Sequence, residues 1–158
     1  MAAILPVTGA TYDAQTTFNR TEAANGAGLC ILRWDQYVPT QAGTGTVSLC
    51  KLPPGRIRIY PDFCRHITTA FEANADLHLG YAAYTNEAGT AVSADDNAFL
   101  DNADAGGGAL DAAWVLPAIG YVDFNTQGGL VIQAMVDTGD MAVTDTLDGW
   151  VAYQCMPG

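Results

Sequence analysis

The sequence has no lysine or arginine after Arg65. All six basic residues (Arg20, Arg33, Lys51, Arg56, Arg58 and Arg65) precede that point, whereas thirteen of the seventeen carboxylates follow it. The net charge of -11 is therefore unevenly spread. Nucleic acid as a partner requires a basic face that neutralises phosphates, so this distribution argues against it. It predicts a body that is acidic on one side and near neutral on another. Serine and histidine are almost missing too: Ser48, Ser93, His66 and His78 are the full set. No G-x-S-x-G elbow surrounds either serine, which argues against serine hydrolase chemistry. The glycine triplet at 106–108 has no lysine after it and no strand–helix context, so it is not a phosphate loop. With seventeen acids in the chain, a close carboxylate pair arises by chance and carries no signal for hydrolysis. Catalytic residues and a cofactor are not expected.

No apolar run approaches the roughly 20 residues of a membrane helix, so a membrane partner is not expected. The start "MAAILPVTGATYDAQ" lacks both a basic head and a long apolar stretch, and use without export is the expectation. The Asn19-Arg20-Thr21 sequon is then a chance match. Cys30, Cys50, Cys64 and Cys155 form no C-x-x-C pair and sit among apolar neighbours, which reads as buried free thiols, with disulfides left open.

At 158 residues, 49% of them apolar and 15% charged, the chain fits one packed domain with a sparsely charged surface. Residues 1–28 show no periodicity and read as an extended, flexible N-terminal arm. Residues 29–158 form the expected domain. Eight strands are predicted: 29–34, 46–52, 56–60, 64–71, 76–84, 119–125, 130–136 and 147–155. Short strands separated by Asn, Asp and Gly turns point to an all-β, antiparallel β-sandwich, of which a jelly roll is one form. Pro53-Pro54-Gly55 has type II turn chemistry and predicts a hairpin between the second and third strands. "EANA" (72–75) predicts another, which would set His66 opposite Tyr81 and His78 opposite Thr69, keeping the two histidines apart.

Two groups of residues are candidates for partner contact. In "RIRIY" strict alternation turns Ile57 and Ile59 to one face and Arg56, Arg58 and Tyr60 to the other. Arginine and tyrosine are enriched at interfaces, so the second face is a candidate contact for an acidic partner surface. The other group lies in 85–118, a segment too long for an idle loop. It contains "DDNAFLDNADAGGGALD" (95–111), whose aspartates fail the EF-hand spacing: from Asp101, the third and fifth positions are Ala103 and Ala105, and the twelfth is Ala112. A looser cation site from Asp95, Asp96, Asp101 and Asp104 is less favoured than a solvated acidic loop, and no metal is assigned. Its large apolar residues rule out a solvated tether, so it either packs back over an end of the sandwich or forms an interface; it reads as a flexible, glycine-hinged inter-strand loop that displays Phe99 and Leu100 to a neighbouring subunit, with Trp114 a further candidate contact.

The runs "KLPPGRIRIYPD", "LGYAAYTNEAGTAVSADDNAFLDNADAGGGALDAAW" and "GYVDFNTQGGLVIQAMVDTGD" resemble small virion structural proteins of tailed bacteriophages, of the head decoration or cement kind. The resemblance spans about residues 45–155. It implies a β-rich, non-enzymatic protein without a cofactor, bound as trimers or other homo-oligomers on the outer surface of the capsid, where it would stabilise contacts between major capsid protein subunits. Two other readings compete: a tail or spike adhesin module that binds carbohydrate through exposed Trp and Tyr, with or without calcium, and another virion component such as a head–tail connector.

Overall fold

A computed structural model describes residues 28–115 and 120–157; the arm read over 1–28 lies outside them except for Gly28. The described residues form twelve strands, all paired antiparallel, and one short 3-10 turn. In chain order these are β1 (Cys30–Tyr37), β2 (Gly43–Leu52), β3 (Gly55–Ile59), β4 (Arg65–Thr68), β5 (Asp76–Tyr81), β6 (Tyr84–Thr85), β7 (Ala91–Val92), β8 (Asp95–Asp104), β9 (Asp111–Ala113), β10 (Val122–Thr126), β11 (Leu130–Met141) and β12 (Leu147–Met156). The 3-10 turn, Pro61–Phe63, separates β3 from β4. One sheet runs β10-β3-β12-β4-β9, with β1 on the other side of β12. The second runs β2-β11-β5-β8, and β6 and β7 form a small two-stranded ribbon. The expected all-β sandwich is present, and each of the eight predicted strands has a counterpart.

Its connections differ from those expected. Gly55 does adopt a positive φ of 104°, as the turn chemistry requires. The turn makes no hairpin, however: β2 pairs with β11, whereas β3 pairs with β10 and β12. Pro53-Pro54-Gly55 is a corner between sheets. Residues 72–75 likewise turn, with Ala75 N–H donating to Glu72 O at 3.0 Å, but join β4 in one sheet to β5 in the other. The expected pairings of His66 with Tyr81 and His78 with Thr69 are absent. His66 instead faces Gly149 and Ala112, and His78 faces Met135.

The segment 85–118 is also not a long loop, because β8 makes ten of its residues an edge strand on β5. The glycine triplet is no hinge at its first residue. A Cβ on Gly106 would collide with backbone atoms of Glu72, Asn74 and Ala75, so the absence of a side chain lets two backbone segments touch. Ala105 and Gly106 N–H both donate to Ala75 O, at 3.0 and 2.9 Å.

Inward residues of both large sheets meet in one core that includes Leu49, Leu52, Ile57, Ile59, Leu77, Leu79, Ile132, Met141 and Val151. Aromatic rings cross it. Trp34 from β1 lies 6.4 Å from Trp114, and Trp114 stacks on Phe99 at 4.8 Å. Phe99 meets Tyr81 at 6.2 Å, and Tyr81 meets Phe124 edge-on at 5.1 Å. Trp34 reaches inward because its ring occupies the space above Gly149, where a Cβ would strike both that ring and Arg65 O. Phe99→Ala is therefore expected to cost about 3–5 kcal/mol, and Gly149→Ala about 1–3 kcal/mol by overpacking. Urea unfolding with an unchanged m-value checks both.

Candidate interaction face

Outward positions of the six-stranded sheet bring four of the six basic residues to one layer. On β3, Ile57 and Ile59 are fully buried while Arg56 is exposed and Arg58 and Tyr60 are half-buried, so the alternation read from "RIRIY" holds. Arg58 is already engaged within the chain. It donates from Nε and Nη2 to the two carboxylate oxygens of Asp123 at 2.7 and 2.8 Å, and its guanidinium stacks 3.7 Å over the Tyr121 ring. Register explains the pairing, since Asp123 on β10 lies directly opposite Arg58. The Arg58 hydrogen bond holds the Asp123 carboxyl below its ordinary range. Tyr60 donates its hydroxyl to Gln154 Oε1 at 3.0 Å.

The face continues onto β1, β12 and the 3-10 turn. Trp150 donates its indole N–H to Phe63 O at 2.8 Å, which fixes the ring beside the 3-10 turn. Arg33 sits 5.7 Å over the Trp150 ring and bonds Asp148 at 3.2 Å. Phe63 and Ile31 are large exposed apolar residues here, 59% and 62% accessible. Arg65 donates to Asp111 at 2.7 Å and lowers that carboxyl. The result is an aromatic face on which Arg33, Arg58 and Arg65 are each matched by a carboxylate. Reasoning from sequence placed Arg56, Arg58 and Tyr60 on this outward face and did not single out Arg33, Phe63 and Trp150. The alternation in β1 and in "GWVAYQC" placed Arg33 and Trp150 outward; Phe63, in a 3-10 turn, left no periodic signal.

The second group of predicted contacts is corrected. Phe99 is 1% accessible, Leu100 8% and Trp114 2%, and all three belong to the core. Edge pairing of β8 with β5 carries Phe99 and Leu100 under the sheet, and Trp114 follows β9 inward to stack on Phe99. They are not displayed to a neighbour.

Carboxylates dominate the four-stranded sheet. The four aspartates of 95–104 turn to different partners: Asp95 accepts from Asn97 N–H at 3.3 Å, Asp96 from the Gln133 side chain, and Asp104 from Gly107 N–H at 2.6 Å. Asp101 lies 3.2 Å from His78 Nδ1, and Asp137 lies 3.3 Å from His78 Nε2. Among the described residues no group of three or more His, Cys, Asp or Glu is placed to hold a metal ion. An open concavity of about 600 Å³ lies beside His78, lined by Tyr81, Ser93, Asp95, Asp96 and Met135. The four cysteines are free; Cys50 and Cys64 are buried, and burial pushes the Cys64 thiol up to about 12, so it stays protonated.

His66 is a core residue, 1% accessible, and burial pushes its imidazole down to about 4, with nearby Arg65 adding to the effect and Asp111 opposing it. The unfolded chain takes up this proton near the ordinary value of about 6.5, while the folded chain resists until about 4. The unfolded state therefore binds more protons in that window, and stability falls as pH drops through it, by up to about 3 kcal/mol. Thermal unfolding from pH 7 to pH 4 should show this loss in the wild type and a smaller one in His66→Gln.

No protein-family model matches the sequence, and no curated protein does. Chains of two solved structures align with this one. A chain of the cyanophage Pam1 capsid asymmetric unit aligns with a TM-score of 0.56 and 17% identity, covering 93% of this chain and 99% of that one. A chain of the acidic stable capsid structure of Helicobacter pylori bacteriophage KHP30 aligns at 0.40 and 15%, covering 82% and 95%. What this chain shares with the cyanophage chain, over nearly the full length of both, is a fold.

Proposed function

We propose that the protein is a non-enzymatic structural component of a phage virion that binds the outer surface of the head and, as a decoration or cement protein, holds neighbouring major capsid protein subunits together. The observation that carries this reading is the two-sided sandwich. One sheet, with the 3-10 turn beside it, presents Arg33, Arg56, Phe63 and Trp150, residue types that anchor protein interfaces. The other presents aspartates with few cations among them. Docking by the first face leaves the acidic face towards solvent, where like charge keeps particles apart. The fold shared with a chain of a capsid asymmetric unit supports the same reading. The carbohydrate-binding alternative, which rests on exposed Trp and Tyr, keeps Trp150 and Tyr60 on the outer face but not Trp34 and Trp114, which are core residues.

Heads assembled without this chain, mixed with the purified protein and imaged, provide the test. Bound density is expected on the outer shell, together with raised heat resistance of the heads. Trp150→Ala with Arg56→Glu should weaken binding by about 30-fold or more, the scale of an interface hot spot. Heads that bind no protein and gain no stability from it would overturn the proposal.

A further inference from the structure

We infer that residues 17–24 of this chain form a further strand on the open edge of β1, joined to it by a two-residue turn at Asn25-Gly26. The inference concerns the chain alone and does not depend on a head being the partner. Among the described residues β1 pairs only with β12, on one side, so no strand lies beside the backbone groups of its other side. β1 is eight residues long, and Leu29 and Ile31 at its start are 50% and 62% accessible. Proteins usually blunt or cover an edge of this length and character. Connectivity names what covers it. The described chain begins at Gly28, directly before β1, so residues 1–27 reach the molecule at the start of this edge.

The residues there suit a paired strand. Asn-Gly is the dipeptide best fitted to a type I′ turn, whose two central residues both take positive φ, and it stands directly ahead of β1. A two-residue turn fixes the register of its strands. Ala24 then lies opposite Ala27, Thr21 opposite Cys30, Arg20 opposite Ile31 and Phe18 opposite Arg33. Residues 10–24 contain neither proline nor glycine, so every backbone N–H can donate, and Thr17, Phe18 and Thr21 are types favoured in strands. The register also assigns faces. Ile31 and Arg33 are exposed on the outer face and Trp34 is buried, which turns Arg20 and Phe18 outward and sets Thr17 beside Trp34 at the rim of the core. The segment thereby adds a ring and a cation to the face that carries Trp150 and Phe63. Pairing through so short a turn is intramolecular, which selects the chain's own segment over a second copy or another protein.

Amide hydrogen exchange on the whole 158-residue chain without heads, resolved residue by residue by NMR, tests this. Residues 17–24, together with the β1 amides that point away from β12, should exchange at least about 100-fold more slowly than an unstructured peptide. Contacts between Phe18 and Arg33 in the same spectra should show the register without any substitution. Gly26→Val puts a β-branched residue where φ must be positive, and should speed exchange at both sets of amides about tenfold or more. The buried amides of β11 report global folding and should keep their protection in the variant. Dilution separates the possible occupants: protection is expected to be the same at high and low protein concentration, and protection lost on dilution means that a second copy holds the edge, which overturns the inference. Free-peptide exchange across residues 17–24, or Phe18 in contact with a strand other than β1, also overturns it. So does a Gly26→Val chain, with β11 protected, whose residues 17–24 exchange as slowly as in the wild type. No head takes part in these measurements, so their failure leaves the proposed function standing.

Discussion

The ring contacts that run from Trp34 through Trp114, Phe99 and Tyr81 to Phe124 hold the two sheets in one relation. Trp34 and Phe124 come from the six-stranded sheet, Phe99 and Tyr81 from the four-stranded one, and Trp114 bridges them from the end of β9. Large rings in offset or edge-on contact bury much apolar area and resist sliding, because their preferred geometries are few. Much of the fold serves this row. Gly149 leaves room for the Trp34 ring, β8 pairs with β5 to deliver Phe99, and the turn at 72–75 accepts the backbone of Ala105 and Gly106 so that the chain can leave β8 and return as β9.

The same arrangement separates the charges. Basic residues come early in the sequence, and the early strands β1, β3 and β4 all enter the six-stranded sheet, where Arg33, Arg58 and Arg65 find Asp148, Asp123 and Asp111 on neighbouring strands. These pairs are largely exposed and contribute little to stability. Their effect is to neutralise a face that also carries Trp150, Phe63 and Tyr60, and so to lower the electrostatic cost of bringing another protein surface against it. In the four-stranded sheet His78 stands between Asp101 of β8 and Asp137 of β11. The linear asymmetry of charge becomes an asymmetry between layers because three of the four early strands, β1, β3 and β4, enter the six-stranded sheet, while β2 brings only Lys51 to the other.

That asymmetry was legible in the sequence, as were the eight strands and the outward turn of Arg56, Arg58 and Tyr60. The pairing was not. Alternation reports which face of a strand is apolar and says nothing about which strand lies beside it, so Pro53-Pro54-Gly55 and the turn at 72–75 looked like hairpins when they are corners. β8 was missed for a different reason. It has four aspartates and two asparagines in ten residues, types depleted in strands. Its two large apolar residues are adjacent, with irregular pairing on both sides of Leu100 opposite Leu79. Asn102 takes a positive φ of 49° there. A bulged strand places neighbouring residues on the same side, so Phe99 and Leu100 both go inward and the period of two disappears. Their size marked them as important; only the bulge decides that they serve the core.

β12 serves both the core and the outer face of the six-stranded sheet. Its inward residues Val151 and Tyr153 and the gap at Gly149 belong to the core, while Trp150 and Gln154, between them, hold Phe63 and Tyr60 in place on the outer face. It is also flanked on both sides, by β1 on one and by β3 and β4 on the other. An interface anchored there is pre-organised: the Trp150 ring and the Tyr60 hydroxyl already have fixed partners, so little side-chain freedom remains to be lost on docking.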